Sequence, residues 1–557
     1  MRTLHLSRRI TASGDEKLAH GLSWLLVTLL LVAILLPLAA MLSQALPGSD
    51  SRTDWQALFS PGLAAATLGS VKVALATTLL VVPLAYGYAA ALTRVALPGR
   101  GVFRLLALLP LLAPSLLPGI ALVYLFGHQG LLKGWLSDGL YGFTGILLGE
   151  AFYTFPHALM ILVTALSVGD ARLYEAARSM GAGRVRRFLS ITLPATRHGL
   201  VSASLVVFTL AVTDFGVAKI VGGQYPVLAL EAYKQVVGQQ NFSQGALIGA
   251  LLLLPAFFSF AIDRIQQQRQ RSMPGCKAQP LQPLRGVAVQ GVAFAYCLLV
   301  GGLLLLLLGT AIAAAFMTQW PYNLAPTLAH FDFDLVDGGG WEAFSNSVKM
   351  ACWTALLGTS IVFLGAWCTT RLRLPAGPWL HALAMLPMAI PGLVLGLGYI
   401  FFFNAPGNPL QPLYGTLALL VLCSVAHFYT TAHLTARAAL QQLAPEFEPA
   451  AASLKVSLWH TLARVTLPVC LPAVLEIARY FFVSALTTVS AVVFLYTPDS
   501  VLASIAVLNM DDAGDTAAAA AMATLIAATA ALACLLFAGA SHRLLQTTQR
   551  WRAVRTD

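Results

Sequence analysis

Between residues 170 and 194 the chain reads Asp170-Ala-Arg-Leu-Tyr-Glu175-Ala176-Ala177-Arg-Ser-Met-Gly181, then Gly183-Arg-Val-Arg-Arg-Phe188, then Ile191-Thr-Leu193-Pro194. Asp170 suits a helix N-cap, Gly181 the left-handed position after a helix end, and Pro194 the first turn of the next helix. The expectation is a short capped helix whose chemistry is recognition rather than bond-making. Ala176 and Ala177 let a partner approach the backbone, while Glu175 and the arginines offer directional polar contacts. No Gly-x-x-x-x-Gly-Lys-Ser/Thr loop occurs, so P-loop binding of ATP is not expected of this chain. Its seven cysteines lie mostly in apolar runs without metal-ligand spacing; they read as free core thiols, and no resident metal is expected.

A second group of reactive side chains lies inside apolar runs, where ionisable residues are costly and default to function. Glu150 and His157 are seven apart, on one helix face; Asp214 falls in Thr213-Asp214-Phe-Gly216, read as mid-span; Thr488 is its uncharged counterpart in the second half of the chain. These four are the candidates for a translocation path, with one-sided acidity. For Asp214 pore lining and a helix-packing hydrogen bond are both open, and for Glu150 and His157 packing or gating is the competing role. Glu476 and Arg479, three apart, read as an intrahelical ion pair.

The elements that must position these groups follow from composition. Of 557 residues 58% are apolar and 10% charged, with mean hydropathy +0.76, against roughly 25% charged in soluble domains. That excludes an ordinary soluble enzyme, and continuous apolar runs exclude a β-barrel. Runs near 22–45, 70–93, 103–126, 143–167, 200–221 and 245–263, then 288–317, 347–370, 379–403, 413–436, 470–494 and 516–540, give twelve spans. Prolines 110, 114 and 118 in the third span, and 387 and 391 in the ninth, predict kinks. Placing both termini in the cytoplasm puts 27 of the 34 Lys and Arg residues on that side. The net charge of +11 is thereby assigned to topology and anionic lipid, and no nucleic-acid partner is implied.

The runs are duplicated. Ser70-Val71-Lys72 recurs as Ser347-Val348-Lys349, Leu97-Pro98 as Leu374-Pro375, Leu109-Pro110 as Leu386-Pro387, Pro114 as Pro391 and Gly119 as Gly396, every pair at the same offset of 277. The expected fold is therefore an all-α polytopic membrane protein of about twelve transmembrane helices in two parallel six-helix repeats, since an even number of spans returns the chain to one side. The units are residues 1–264 and 287–557, joined by 265–286, a polar segment read as a solvated tether.

Glu175-Ala176-Ala177, Gly181 six residues after the Glu, and a following hydrophobic-x-Leu-Pro resemble the EAA signature of permeases in binding-protein-dependent, type I ABC importers. The resemblance implies that this loop is a coupling helix seated in a groove of a separate ATPase subunit. A degenerate copy follows in the second half, Glu446-Phe-Glu448-Pro449-Ala450-Ala451-Ala-Ser453-Leu-Lys455 before Leu467-Pro468; aligned at an offset of 274, Pro449 takes the Glu place and Lys455 the Gly place. The resemblance implies two copies of an ABC ATPase carrying ATP and Mg, no cofactor in this chain, a periplasmic binding protein, a small-molecule substrate and the bacterial inner membrane. The fused double unit resembles ferric-iron permeases and the permeases of 2-aminoethylphosphonate uptake. Segments Ser490–Tyr496, Leu502–Asp515 and Ser453-Leu-Lys455-Val look like the latter. 2-Aminoethylphosphonate is thus the expected cargo, with ferric iron, thiamine or a polyamine as alternatives. A gradient-driven secondary transporter is the competing class, but Leu97-Pro-Gly-Arg100 lacks the Asp of its Gly-Asp-Arg loop.

Overall fold

A computed structural model describes residues 14–45, 59–136, 139–270, 279, 281–372 and 374–548. The first repeat contains α1 (Gly14–Ala45), α2 (Pro61–Arg94), α3 (Arg100–Leu112), α4 (Leu116–Phe126), α5 (Phe143–Ser167), α6 (Ala171–Ser179), α7 (Arg184–Thr213), α8 (Gly216–Val221), α9 (Leu228–Tyr233) and α10 (Phe242–Gln270). The second contains α11 (Val287–Ala315), α12 (Gly340–Leu372), α13 (Gly377–Ala389), α14 (Gly392–Phe403), α15 (Leu417–Gln441), α16 (Phe447–Ser453), α17 (Leu458–Thr487), α18 (Ala503–Asp512) and α19 (Thr516–Leu544). Among the described residues ten helices are long and apolar enough to span a bilayer, or twelve spans if each bent pair counts as one. A short antiparallel hairpin, β1 (Met317–Gln319) with β2 (Asn323–Pro326), follows α11.

The third and ninth spans are broken rather than kinked. α3 and α4 meet at 103°, and α13 and α14 at 115°. Ala113 and Ile390, the residues before Pro114 and Pro391, are extended, as the proline ring requires of its predecessor. The fifth and eleventh spans also stop short of the expected ends, at Thr213 and Thr487. Asp214 and Thr488 are therefore extended residues at helix breaks, not mid-span residues, and this corrects the sequence reading.

In each repeat the second span packs between the fourth and fifth: α2 on α5 and α7, α12 on α15 and α17. The repeated serines explain themselves here. The Ser70 hydroxyl accepts the Leu228 amide at 2.7 Å, and Ser347 accepts that of Ala503 at 2.7 Å, so each buried Ser holds the first amide of a helix after a break, α9 or α18.

The first spans are exchanged. The C-terminal half of α1 packs against α14, whose Tyr399 hydroxyl donates to the Ala33 carbonyl at 2.8 Å within a five-residue π turn. Reciprocally, α11 packs on α3 and α4, and its Tyr296 donates to the Leu84 carbonyl of α2 at 2.8 Å. The preceding segments follow the same pattern. Asp15 accepts the Leu458 amide at 3.0 Å, and Gln279 accepts the Ala171 amide at 3.0 Å. Leu284 pairs with Val95 as a parallel bridge. The linker is thus docked at residues 279 and 284 rather than a free tether; residues 271–278, with Cys276, lie outside the described residues. Of the other cysteines Cys352 is exposed, against the expectation of a core thiol.

Candidate coupling helices and translocation site

The first loop folds as its local chemistry dictates. Asp170 accepts the Arg172 amide at 3.1 Å, and Gly181 sits at φ +74° past the end of α6. There Met180, Gly181 and Ala182 donate to Ala176, Arg178 and Ala177 carbonyls at 3.1, 3.0 and 2.9 Å. The second loop repeats these three bonds at the offset of 274, without the side-chain cap: Leu454, Lys455 and Val456 donate to Ala450, Ala452 and Ala451 at 3.0, 3.1 and 2.9 Å. Lys455 adopts φ +56°, a conformation that costs a residue with a Cβ about 1–2 kcal/mol. Lys455→Gly is therefore expected to stabilise the protein by about 0.5–1 kcal/mol after glycine's own entropy is charged against it. A higher thermal midpoint in detergent checks this, and Gly181→Lys should lower it.

The two helices present matching faces. Leu173, Ala176 and Met180 on the first, and Phe447, Ala450 and Leu454 on the second, are exposed at spacings of three and four. Glu175 is exposed beside the first stripe, where the second has Pro449. Two expected contacts turn inward instead. Ala177 is buried, because at this register it faces the body of the protein, and its counterpart Ala451 is half-buried. Glu448 is occupied by Arg371, whose Nε donates to Oε1 at 2.7 Å and whose Nη2 pairs with Oε2.

Arg371 ends the second span of its repeat, and its counterpart at the offset of 277 is Arg94, at the end of α2. The Arg94 guanidinium lies 5.2 Å from the ring centre of Tyr174, the residue that aligns with Glu448 at the offset of 274. Tyr174 is fixed in turn by a 2.7 Å hydroxyl bond with Thr192 of α7. Sequence reasoning treated both arginines as orientation charges; the signal available was their place in the repeat.

The intramembrane candidates divide. Glu150, two turns into α5, is fully buried, and neither oxygen meets a donor at ordinary hydrogen-bond geometry. It is an electrostatic neighbour of Asp214, as is Tyr153. Tyr153 also neighbours Tyr480 of α17, so the cluster spans both repeats. Asp214 caps α8 by accepting the Val217 amide at 2.8 Å, a bond within its own segment rather than between packed helices, and its carboxyl lies beside Glu150. His157 stands one turn along, its Nδ1 3.2 Å from the Tyr153 carbonyl oxygen and its ring 5.6 Å from that tyrosine's. Thr488 belongs elsewhere: its carbonyl accepts Ser504 at 2.7 Å. At the offset of 274 Ser424 replaces Glu150 and His427 replaces Tyr153, so the acidity lies on one side. Tyr153 and Tyr480 were missed because neither carries a charge at neutral pH. Glu476 and Arg479 do form the intrahelical pair. Lys219 lies in α8 rather than within a span, where it pairs with Asp512 of α18 at 2.8 Å across the repeats.

A family model described as the binding-protein-dependent transport system inner membrane component matches residues 82–272 and 361–549, once in each repeat. A Haemophilus influenzae protein with a provisional ferric transport permease designation is 29% identical over 75% of this chain and 68% of its own. The ferric transport system permease of Actinobacillus pleuropneumoniae is 27% identical over 78% of this chain, which spans 65% of that relative's length. The molybdenum transport system permease of Escherichia coli strain K12 is 31% identical over 29% of this chain and 69% of its own.

Proposed function

Because the chain belongs to the inner membrane components of binding-protein-dependent transport systems, and is a permease subunit of ABC import rather than its ATPase, we propose that it carries ferric iron into the cytoplasm. Two copies of a separate ABC ATPase, holding ATP and Mg, dock on α6 and α16, and a periplasmic binding protein delivers cargo at the opposite face. The membrane is the bacterial inner membrane, with both termini cytoplasmic. Closure of the ATPases moves the two short helices together and opens the path outward; hydrolysis resets it.

The observation that carries the substrate is the junction of the Glu150 and Asp214 carboxyls with the phenols of Tyr153 and Tyr480. Carboxyl and phenol oxygens are hard donors that suit a hard cation, and carboxylates that ionise beside such a cation oppose oxyanions such as molybdate. The ferric permeases among the relatives support this reading. 2-Aminoethylphosphonate, the expectation from the C-terminal segment, has no counterpart among the relatives described above and becomes the second arm of the test.

The test is ATP hydrolysis by the permease reconstituted with the ATPase and binding protein encoded beside it. Stimulation by ferric iron and not by 2-aminoethylphosphonate is the expected result. Stimulation by the aminophosphonate alone overturns the substrate and keeps the importer. Failure of any ATPase to associate overturns the docking reading and returns a gradient-driven transporter to consideration.

A further inference from the structure

We propose that Arg94 and Arg371 are positioning residues that transmit movement of the two coupling helices into the second span of each repeat. The inference rests on the reading of α6 and α16 as ATPase-docking helices. Each arginine is the repeat equivalent of the other, each ends a helix packed between the fourth and fifth spans, and each holds the same aligned position of the short helix.

A docked ATPase moves a helix of seven or nine residues; that movement does work on the pore only through a stiff link to a long helix. In the second repeat the link is a forked one. Arg371 engages both Glu448 oxygens and donates from Nη1 to the Leu443 carbonyl at 3.3 Å and from Nη2 to that of Ala444 at 2.9 Å. A planar fork bonded on all sides transmits displacement and rotation together. In the first repeat Arg94 lies over the Tyr174 ring, while its Nε and Nη2 are buried without a hydrogen-bond partner.

That softer contact is supplemented by the interdomain linker, which docks between the same two elements. Gln279 brackets the first turn of α6, its carbonyl accepting from Ala171 and its amide donating to Asp170 at 3.3 Å. Five residues later the Leu284 amide donates to the Arg94 carbonyl at 2.8 Å and its carbonyl accepts Ala96 at 3.1 Å. Among the described residues, coupling helix and second span are thus joined by a forked side chain in the second repeat, and by a side chain plus a docked backbone segment in the first. Because Arg371 is bonded on all sides and Arg94 only lies over a ring, loss of Arg371 is expected to cost more than loss of Arg94.

The experiment uses the complete transporter in vesicles, with ATPase capture and binding-protein-stimulated ATP hydrolysis read separately. Arg371→Ala is expected to capture ATPase as the native chain does while stimulation falls about tenfold, and Arg94→Ala to fall less. The exchange of Arg371→Glu with Glu448→Arg should recover stimulation, because it rebuilds the pair. Tyr174→Glu should preserve stimulation by giving Arg94 an anion, whereas Tyr174→Ala should not. Native stimulation in Arg371→Ala, or a charge exchange no better than its single variants, overturns the proposal. Loss of capture in well-folded Arg371→Ala also overturns it, since the arginine would then serve docking itself. Failure of the native chain to capture ATPase would instead fault the docking reading on which it rests.

Discussion

A variant carrying Leu173→Asp, Met180→Asp, Phe447→Asp and Leu454→Asp is expected to lose its ATPase partner while remaining folded. These are the large apolar side chains of the two matching stripes, 56%, 79%, 40% and 76% exposed, so their replacement removes little from the permease's own core. On the docking proposed above they fill a partner groove, with Ala176 and Ala450 between them permitting close approach. A truncated anchor in such an interface typically costs about 2 kcal/mol or more, and a carboxylate placed there must also be desolvated. Affinity for the ATPase should therefore fall by at least about a hundredfold. Co-purification and titration of the ATPase in detergent measure it, and an unchanged thermal midpoint of the isolated permease separates lost docking from lost folding. Capture at native affinity would remove α6 and α16 from the docking role. Pairwise versions, Leu173 with Met180 and Phe447 with Leu454, would show how far Glu175, which the second helix lacks, compensates on its own side.

What could be read before folding divides by range. The ends of α6 were legible because Asp170 and Gly181 act on their own backbone neighbours, and the hydrogen bonds around Lys455 follow from register alone. The repeat was legible for the same reason, although the role of Ser70 and Ser347 required knowing which amides lie 158 and 156 residues away. The breaks at Pro114 and Pro391 were half-legible: proline forbids a straight helix, but whether the chain bends slightly or turns through 103° is set by what packs against each arm. Asp214 was misplaced because an apolar run does not mark where a helix stops, and Val217 and Ala218 continue the run beyond the break. Exchange of the first spans left no local trace. It depends on contacts such as Tyr399 with Ala33, separated by 366 residues, and any apolar helix of that length satisfies composition equally well.

Neutralising the acidic pair is the sharpest probe of what passes between the repeats. Glu150→Gln and Asp214→Asn both preserve shape; an Asn oxygen can still cap α8 at the Val217 amide, and Glu150 has no donor to lose. Fold and ATPase docking should therefore survive. A carboxyl that ionises as a cation arrives about 4 Å away contributes up to about 4 kcal/mol at an effective dielectric near 20, and losing a third of that lowers occupancy about tenfold. Each single variant is accordingly expected to slow ferric uptake by about tenfold or more, and the double variant further. Binding-protein stimulation of ATP hydrolysis should persist, because the docking surfaces are untouched. The sign of the effect on cargo discriminates most strongly. If the pair attracts a cation, its removal should relieve repulsion toward an oxyanion, so molybdate or phosphonate passage should not fall with it. Equal loss for cation and anion would mean that Glu150 and Asp214 hold the helices around the path rather than address what moves along it.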